Sequence, residues 1–282
     1  MALTTSAIEQ ERQRYRERRS RRSALVAAAS TVGFAAVLAA VVLGSPGWPR
    51  FRESFLDLDV ARASFPRILE GLWLNIRVLV VAEVCILVLA LGIALLRTLR
   101  GPVWFPLRTL AAGYTDVFRG VPLIIMLYII GFGLPGLRLQ GVPTSAAVLG
   151  TIAIVLVYSA YVAEVFRAGI ETVHPSQRAA ARSLGLTYGQ TMRLVVLPQA
   201  VRRVVPPLLN DLVALQKDVG LISVLGAVDA VRAAQIESAR YADFTPYVVA
   251  GLLFVLLAVP TARLADHVTL RAARRQQAGA TL

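Results

Sequence analysis

Long apolar stretches alternate with shorter polar segments along this chain of 282 residues. A membrane-spanning helix needs roughly 20 apolar residues, because each residue advances the helix by about 1.5 Å through a hydrocarbon core about 30 Å thick. Six stretches meet this requirement to within a few residues, and we interpret each as a transmembrane helix: residues 24–43, 73–96, 110–134, 146–166, 204–228 and 246–262. The pattern therefore predicts an all-α membrane protein with about six transmembrane helices.

Two of the six predicted helices contain residues that disturb a regular helix. Pro122 lies inside the third, where the missing backbone N–H and the bulk of the ring should produce a kink. The fifth carries Pro206 and Pro207 near one end and the polar sequence LQKDVG farther along, so we expect it to be bent or broken.

A polar segment at residues 171–198 (ETVHPSQRAAARSLGLTYGQTMRLVVLP) separates the fourth and fifth apolar stretches. Pro175 suits the first turn of a helix, and the sequence that follows is rich in Ala and Arg, which are good helix formers. Gly185 is placed to end that helix. The segment is thus predicted to fold outside the membrane, beginning with one short helix.

A second short helix is predicted in the same polar segment. Thr187 and Gln190 have the spacing of a capping box, in which each side chain accepts a hydrogen bond from the other residue's backbone N–H. We expect this helix to run to Leu197 and to stop at Pro198. Two short helices joined at a glycine would form a compact knob suited to binding by another protein.

Composition agrees with a polytopic membrane protein and excludes an ordinary soluble domain. Hydrophobic residues make up 56% of the chain, charged residues only 17%, and the mean hydropathy is +0.63. The formal net charge is +13, and most arginines lie in four segments with few acidic residues: 1–23, 97–108, 167–203 and the residues after 261. By the positive-inside rule these segments, and with them both termini, face the cytoplasm. We therefore attribute the basic character to membrane orientation and anionic lipid rather than to nucleic acid.

The sequence contains few residues of the types that carry out catalysis or bind metals. Cys85 is the only cysteine and lies in an apolar run, so we interpret it as a small buried residue rather than part of a disulfide framework. His174 and His267 are the only histidines, and both fall in predicted cytoplasmic segments. The chain contains neither an HExxH nor a GxSxG motif, and it lacks the P-loop of an ATPase. The sequence therefore argues against a membrane-embedded enzyme.

The polar segment resembles the EAA loop of permease subunits of ABC importers. That loop has the pattern Glu-Ala-Ala, three residues, Gly, nine residues and Ile-x-Leu-Pro. Residues 179–181 (AAA), Gly185 and residues 195–198 (VVLP) match this spacing, with Ala179 in place of the glutamate and Val195 in place of the isoleucine.

Three further motifs are similar to those of the polar amino-acid permease family, whose members transport histidine, glutamine, glutamate or arginine. They are residues 164–170 (EVFRAGI) with the following Pro175 and Gln177, residues 118–123 (FRGVPL), and Lys217-Asp218 with Ser223-Val224. The second motif usually continues to a glutamine, where this chain has Met126. The resemblance covers roughly residues 72–266.

The resemblance implies a type I ABC importer permease that imports an amino acid across a bacterial cell membrane. Its partners would be cytoplasmic ABC ATPase subunits, a second permease chain that is identical or homologous, and an extracytoplasmic amino-acid-binding protein. No cofactor is implied for this chain, since a partner would hydrolyse the ATP. The residues implied in contact with the ATPase are Gln177, Arg178, Ala180, Ala181, Arg182, Ser183, Leu184, Gly185, Leu186, Leu197 and Pro198.

The resemblance and the apolar pattern together divide the chain into four parts. A basic cytoplasmic tail (1–23) precedes an extra N-terminal transmembrane helix with an outer segment (24–69). The ABC importer transmembrane domain (70–268), which contains the coupling loop (171–198), is followed by a second basic tail (269–282). A cleaved signal peptide is the alternative for the N-terminus, but the apolar run is long and the GSP sequence at 44–46 is a poor cleavage site, so we favour a retained anchor.

Ionisable residues inside the predicted membrane helices should face the protein interior or water, because lipid exposure is costly. Either they line a pathway for a zwitterionic amino acid or they form structural pairs between helices, and both interpretations stay open. Asp116 and Arg119 are spaced to pair within one helix, and Glu164 with Arg167 is expected to brace the coupling loop. The candidate polar groups are Asp116, Arg119, Glu164, Arg167, Lys217 and Asp218.

A stand-alone secondary transporter or channel for small polar solutes is the main alternative function. Such a protein has no need of a structured polar knob between two membrane helices. The polar segment therefore favours the ATP-driven importer.

Overall fold

The computed structural model describes the backbone of residues 7–99 and 101–280, and the side chains of Tyr15, residues 19–99 and residues 101–271. No β-strand occurs in these residues, in agreement with the predicted all-α class. They form twelve α-helices: α1 (Ala7–Leu43), α2 (Trp48–Phe55), α3 (Leu58–Thr98), α4 (Phe105–Gly120), α5 (Leu123–Tyr128), α6 (Leu134–Gly136), α7 (Ala146–Glu171), α8 (Pro175–Ser183), α9 (Tyr188–Thr191), α10 (Leu197–Asp218), α11 (Ala230–Tyr241) and α12 (Thr245–Ala280).

The chain consists of two compact units, Met1–Asp57 and Leu58–Leu282. The first contains α1, whose apolar side chains are exposed within that unit, and the short helix α2, in which the rings of Trp48, Phe51 and Phe55 stack along one side. The second unit contains α3 to α12. The domain boundaries predicted at residues 23, 69 and 268 stay predictions.

Length and composition support four to six membrane spans among the described residues. Four helical segments are long and apolar enough to cross a bilayer: Arg19–Leu43 within α1, Trp48–Thr98 with α2 and α3, Ala146–Glu171, which is α7, and Thr245–Arg271 within α12. The count becomes six if each of two bent helix pairs is one span. This confirms the predicted class of about six transmembrane helices, although two of the predicted helices are not single helices.

The third predicted helix is broken rather than kinked. α4 ends at Gly120, α5 begins at Leu123, and the helical segments on either side of the break meet at 103°. Val121 has extended backbone angles, with φ of −98° and ψ of 128°. This is expected for a residue whose α conformation would clash with the ring of Pro122. The expectation of one helix over 110–134 was therefore wrong.

The fifth predicted helix does break, but not at its prolines. α10 continues through Pro206 and Pro207. Membrane helices often tolerate proline, because neighbouring groups bond the backbone carbonyls that the proline leaves free. It passes into a 3-10 helix at Val219–Leu225, which ends at Gly226 in the left-handed conformation with φ of +88°. The chain then turns by 53° into α11, which lies between the fifth and sixth predicted helices.

The core of the second unit lies where α3, α7 and α10 pack together. Ile86 of α3, Ile154 of α7 and Leu215 of α10 are each at most 1% exposed and belong to one apolar cluster. Cys85 is adjacent to Ile86 in sequence but lies on the exposed side of α3. Its interpretation as a buried residue was wrong, because α3 buries only one face.

A buried polar junction joins α3 to the start of α11. The Asn75 amide donates a 2.9 Å hydrogen bond to the Asp229 carboxylate and accepts one of 3.0 Å from the Ala230 N–H. Gly71 permits this close approach, since a Cβ there would lie 2.5 Å from the Asp229 carbonyl carbon. The junction holds the start of α11 against α3.

Candidate functional site

The polar segment forms the two helices α8 and α9, and we call residues 175–191 the two-helix loop. α8 starts at Pro175, as predicted. At its other end Gly185 has a φ of +80°, its N–H bonds the carbonyl of Arg182 at 2.9 Å, and the Leu186 N–H bonds the carbonyl of Ala181 at 3.2 Å. These are the two hydrogen bonds of a Schellman motif, so Gly185 ends the helix as expected.

The capping box that opens α9 is present. The Gln190 N–H donates to the Thr187 hydroxyl at 3.3 Å, and the Thr187 N–H donates to the Gln190 side-chain oxygen at 2.9 Å. Backbone groups at the joint between the two short helices are therefore satisfied by hydrogen bonds within the loop.

The helix predicted to stop at Pro198 instead continues. α9 passes through a π-helical segment (Met192–Val196) into α10, so the helix that begins at Tyr188 runs on past Pro198. Pro198 lies in the first turn of α10, where a missing N–H does not remove a bond of that helix. The π segment before it shifts the hydrogen-bond register, so the proline marks a change of helix type rather than an end.

The residues implied in ATPase contact fall into two groups. Ala181 is buried, and Arg178, Leu186 and Leu197 are partly buried toward the rest of the unit. Leu184 is 82% exposed at the tip of the two-helix loop. The other exposed members are Gln177, Ala180, Arg182, Ser183, Gly185 and Pro198.

Side-chain hydrogen bonds attach the two-helix loop to the neighbouring helices. Arg178 donates to the carbonyl of Ile170 in α7, and Gln199 of α10 donates to Gln177. The Tyr188 hydroxyl donates to the carbonyl of Thr98, the last residue of α3, at 3.0 Å. The loop is thus connected to three long helices and should move with them as one body.

An apolar cluster formed by residues that flank the two-helix loop also holds the loop to α7 and α10. Ile170 and Val173 pack with Val196 and Ala200, and all four are at most 3% exposed. Burying such aliphatic side chains stabilises the folded state by roughly 1.5 to 3 kcal/mol for each of the larger ones. The end of α7 and the start of α10 are therefore held together beneath the two-helix loop.

An ionic network joins α3, α4 and α7 near the two-helix loop. Arg97 of α3 contacts Glu164 of α7 at 2.8 Å and donates to the Thr115 hydroxyl of α4 at 3.0 Å. Arg167 also binds Glu164 and contacts Glu171 at 2.5 Å. Glu164 therefore bridges two arginines. The bracing of the coupling loop by Glu164 and Arg167 stays a prediction.

The other candidate polar groups occupy different places. Asp218 of α10 accepts a 2.7 Å hydrogen bond from Tyr158 of α7, whereas Lys217 is exposed. Asp116 and Arg119 are both exposed and do not form the expected ion pair. Arg119 instead lies over the ring of Tyr161, with its guanidinium carbon 5.7 Å from the ring centre. The face of that ring is electron-rich and attracts the cation.

Sequence reasoning missed several residues that build the site. Arg97 directly follows the apolar run of α3. A charged residue at the end of a membrane helix could have indicated an ion pair there. Outside the site, Asn75 of the α3–α11 junction was an amide in an apolar run, a pattern typical of buried polar contacts between helices. Nothing local marked Tyr188, because its partner Thr98 is distant in sequence.

Known proteins resemble this chain over most of its length. The family described as the binding-protein-dependent transport system inner membrane component matches residues 103–274. The arginine transport system permease protein ArtQ of Bacillus subtilis is 36% identical over 205 residues, which cover 72% of this chain and 90% of ArtQ. The probable glutamine ABC transporter permease protein GlnM of the same organism is 32% identical over 208 residues, or 73% of this chain and 93% of GlnM.

Solved structures agree with these sequence relatives. The crystal structure of an amino acid ABC transporter with histidines matches with a TM-score of 0.69 and 31% identity, over 78% of this chain and 99% of that chain. The MetNI methionine ABC transporter, at 19% identity and a TM-score of 0.60, covers 73% of this chain and 95% of its own and supports the fold alone. The chain therefore belongs to the family of inner membrane components of binding-protein-dependent transport systems.

Proposed function

We propose that the chain is the transmembrane permease subunit of an ATP-driven amino-acid importer, and that the two-helix loop receives the motion of a cytoplasmic ATPase subunit. The observation that carries the proposal is Leu184, a large apolar side chain 82% exposed at the tip of a loop whose helices are capped at the joint. An apolar side chain held out by a rigid support is typical of a residue that fills a pocket on a partner.

The attachment of the loop suits it to transmit a displacement. Hydrogen bonds from Arg178, Gln199 and Tyr188 connect α8 and α9 to α7, α10 and α3. A push on α8 therefore reaches three membrane helices without first unfolding the loop. Closure of the ATPase pair would shift these helices between inward- and outward-open arrangements.

The exposed side of the loop is assigned to contact with the ATPase. Gln177, Arg182 and Leu184 lie on this side. Neither Arg182 nor Arg193 has an ion pair within the described part of the chain. Both guanidinium groups are therefore available to acidic groups of a partner.

The inner side of the loop is assigned to its support. Arg178 is partly buried and Ala181 is buried toward the rest of the unit. Glu164 and Arg167 brace the loop through the network with Arg97. Displacement of the exposed side would therefore be passed on by the inner side.

An amino acid is the proposed substrate class. Support comes from the motifs at residues 164–170 and 118–123, and from relatives named for arginine and glutamine transport. Asp116, Arg119 and Lys217 are the exposed charged groups of the membrane helices that we assign as candidates for the pathway. Asp218 is assigned a helix-packing role, because Tyr158 holds its carboxylate.

The proposed assembly places the permease in a bacterial cell membrane with both termini and the two-helix loop in the cytoplasm. The arginine-rich segments on that side support the orientation. A second permease chain would complete the pathway, and an extracytoplasmic binding protein would deliver the amino acid.

The test is affinity purification of the tagged chain from native membranes in mild detergent. We expect an ATP-hydrolysing subunit to co-purify with the wild-type chain, and its recovery to fall at least tenfold for Leu184→Asp. The matched control is Leu137→Asp, an equally drastic change at a residue that is 63% exposed and precedes the opposite end of α7. The control should retain the ATPase.

The main alternative predicts the opposite result. A stand-alone transporter would purify without an ATPase and would carry substrate after reconstitution alone. Transport by the purified chain without ATP, or equal ATPase recovery in both variants, would remove the coupling role of the loop.

A further inference from the structure

An apolar groove of about 460 Å³ runs between α3 and α7 on the surface of the second unit. Residues of α3 from Val78 to Cys85 form one wall and residues of α7 from Ala147 to Leu156 form the other. Among the lining residues, only Thr151 and Cys85 carry a hydroxyl or a thiol, and one residue at an end of the groove is charged. The apolar lining is formed chiefly by Val78, Val81, Val148, Ile152, Val155 and Leu156.

That charged side chain is Arg77, which is exposed and has no ion pair within the described part of the chain. Its guanidinium lies 5.6 Å from the ring centre of Trp73, a residue type that concentrates at the membrane–water interface. Arg77 also borders a separate cavity of about 390 Å³, where Glu70 lies and where Arg67 neutralises the buried Glu237 at 2.6 Å. The groove thus has a cation at one end and apolar walls elsewhere.

We propose that the groove binds a phospholipid, with the phosphate on Arg77 and one acyl chain along the apolar walls. From Arg77 to Cys85 the helix advances about 12 Å, which is close to the roughly 15 Å thickness of one leaflet of the hydrocarbon core. An arginine fork binds a phosphate with charge-assisted hydrogen bonds, and the indole of Trp73 marks the headgroup level. Charge and length therefore both match one lipid of one leaflet.

The groove has apolar walls over about 12 Å of helix and a cation at one end. A lipid satisfies the apolar walls and the cation together.

Cys85, the only cysteine of the chain, lies in the groove and reports its occupancy. The full chain is delipidated in detergent and its alkylation by N-ethylmaleimide is followed by intact mass. We expect dioleoyl phosphatidylglycerol to slow alkylation at least fivefold, and dioleoylglycerol, which has the same chains without the phosphate, by less than twofold. Native mass spectrometry should show one retained phosphatidylglycerol per chain.

Matched variants separate the groove from general effects of lipid. Arg77→Gln should lose the slowing by phosphatidylglycerol, whereas Arg62→Gln, on the same helix and in contact with Asp59 at 3.8 Å, should keep it. In a Cys85→Ser, Val88→Cys chain the reporter moves to a residue that is 70% exposed outside the groove, and both lipids should then act equally.

Three results would overturn the proposal. Equal slowing by the two lipids, or undiminished slowing in Arg77→Gln, would show that the phosphate does not bind there. Protection of Cys85 without lipid in dimers, lost in monomers, would assign the groove to a second copy of the chain.

Discussion

The Tyr188 hydroxyl donates a hydrogen bond to the backbone carbonyl of Thr98 at 3.0 Å, which ties the two-helix loop to the last residue of α3. These residues are 90 positions apart. A carbonyl in the last turn of a helix has no partner within that helix, so the tyrosine satisfies a group that would otherwise bond to water. The contact makes α3 a direct support of the loop.

Tyr188→Phe should loosen the two-helix loop without unfolding the chain. The lost hydrogen bond should cost about 1 kcal/mol. We expect faster amide hydrogen exchange in α9, measured by mass spectrometry. The control is Tyr161→Phe, which removes a 3.1 Å hydrogen bond to the Arg119 carbonyl elsewhere, and unchanged exchange in α9 is expected there. Equal effects of the two variants would contradict a local role for Tyr188.

Glu164→Gln should destabilise the chain more than Glu171→Gln. Glu164 bridges Arg97 and Arg167 with its side chain 23% exposed, whereas Glu171, whose side chain is 59% exposed, has an ion pair with Arg167 alone among the described residues. Glutamine at 164 leaves the partly buried Arg97 without an ion pair among the described residues, while Arg167 keeps its contact with Glu171. A loss of about 2 kcal/mol is therefore expected, against less than about 0.5 kcal/mol for the more exposed Glu171. Thermal unfolding followed by tryptophan fluorescence measures both, and a reversed order would show that the network is not a stabilising bridge.

Alanine at the two glycines of the loop should have opposite effects. Gly185 has a φ of +80°. Gly185→Ala therefore forces an L-residue into the left-handed region, at a cost of about 1 to 2 kcal/mol. Gly189 lies within α9 with nothing near its missing Cβ, so Gly189→Ala should favour the helix by about 0.5 to 1 kcal/mol. Hydrogen exchange across α8 and α9 should rise in the first variant and fall in the second. A fall in both would refute the Schellman motif.

Gly71→Ala should separate α11 from α3. The added methyl would lie within 2.6 Å of backbone atoms of Asp229 and Ala230. Asn75 binds the Asp229 carboxylate and the Ala230 N–H, so this segment cannot move away without breaking those hydrogen bonds. We expect a loss of about 2 to 3 kcal/mol, typical of overpacking. Gly92→Ala on the same helix has open space and is the control. Comparable melting temperatures for the two variants would disprove the tight junction.

Local signals predicted the local structure well. The start of α8 at Pro175, its end at Gly185 and the capping box of Thr187 and Gln190 depend on residues within a few positions of one another. The apolar stretches likewise predicted the spans, because a bilayer demands a minimum length of apolar helix. These features follow from the chain itself and need no neighbour.

Features that depend on packing between helices were predicted wrongly or not at all. Pro122 breaks its span by 103° while Pro198, Pro206 and Pro207 lie inside continuing helices, and the sequence around each proline does not distinguish these outcomes. Whether a proline bends a helix depends on which other groups satisfy the freed carbonyl and occupy the space beside the ring.

The sequence by itself determined the all-α membrane class, the positions of most spans and the caps of the two-helix loop, because these depend on short-range hydrogen bonding and on transfer from water to an apolar phase. Only the tertiary structure decided that Cys85 faces outward, that Glu164 bridges Arg97 and Arg167, and that Tyr188 supports the loop from α3. Those contacts join residues far apart in the chain, and their geometry exists only once the helices have packed.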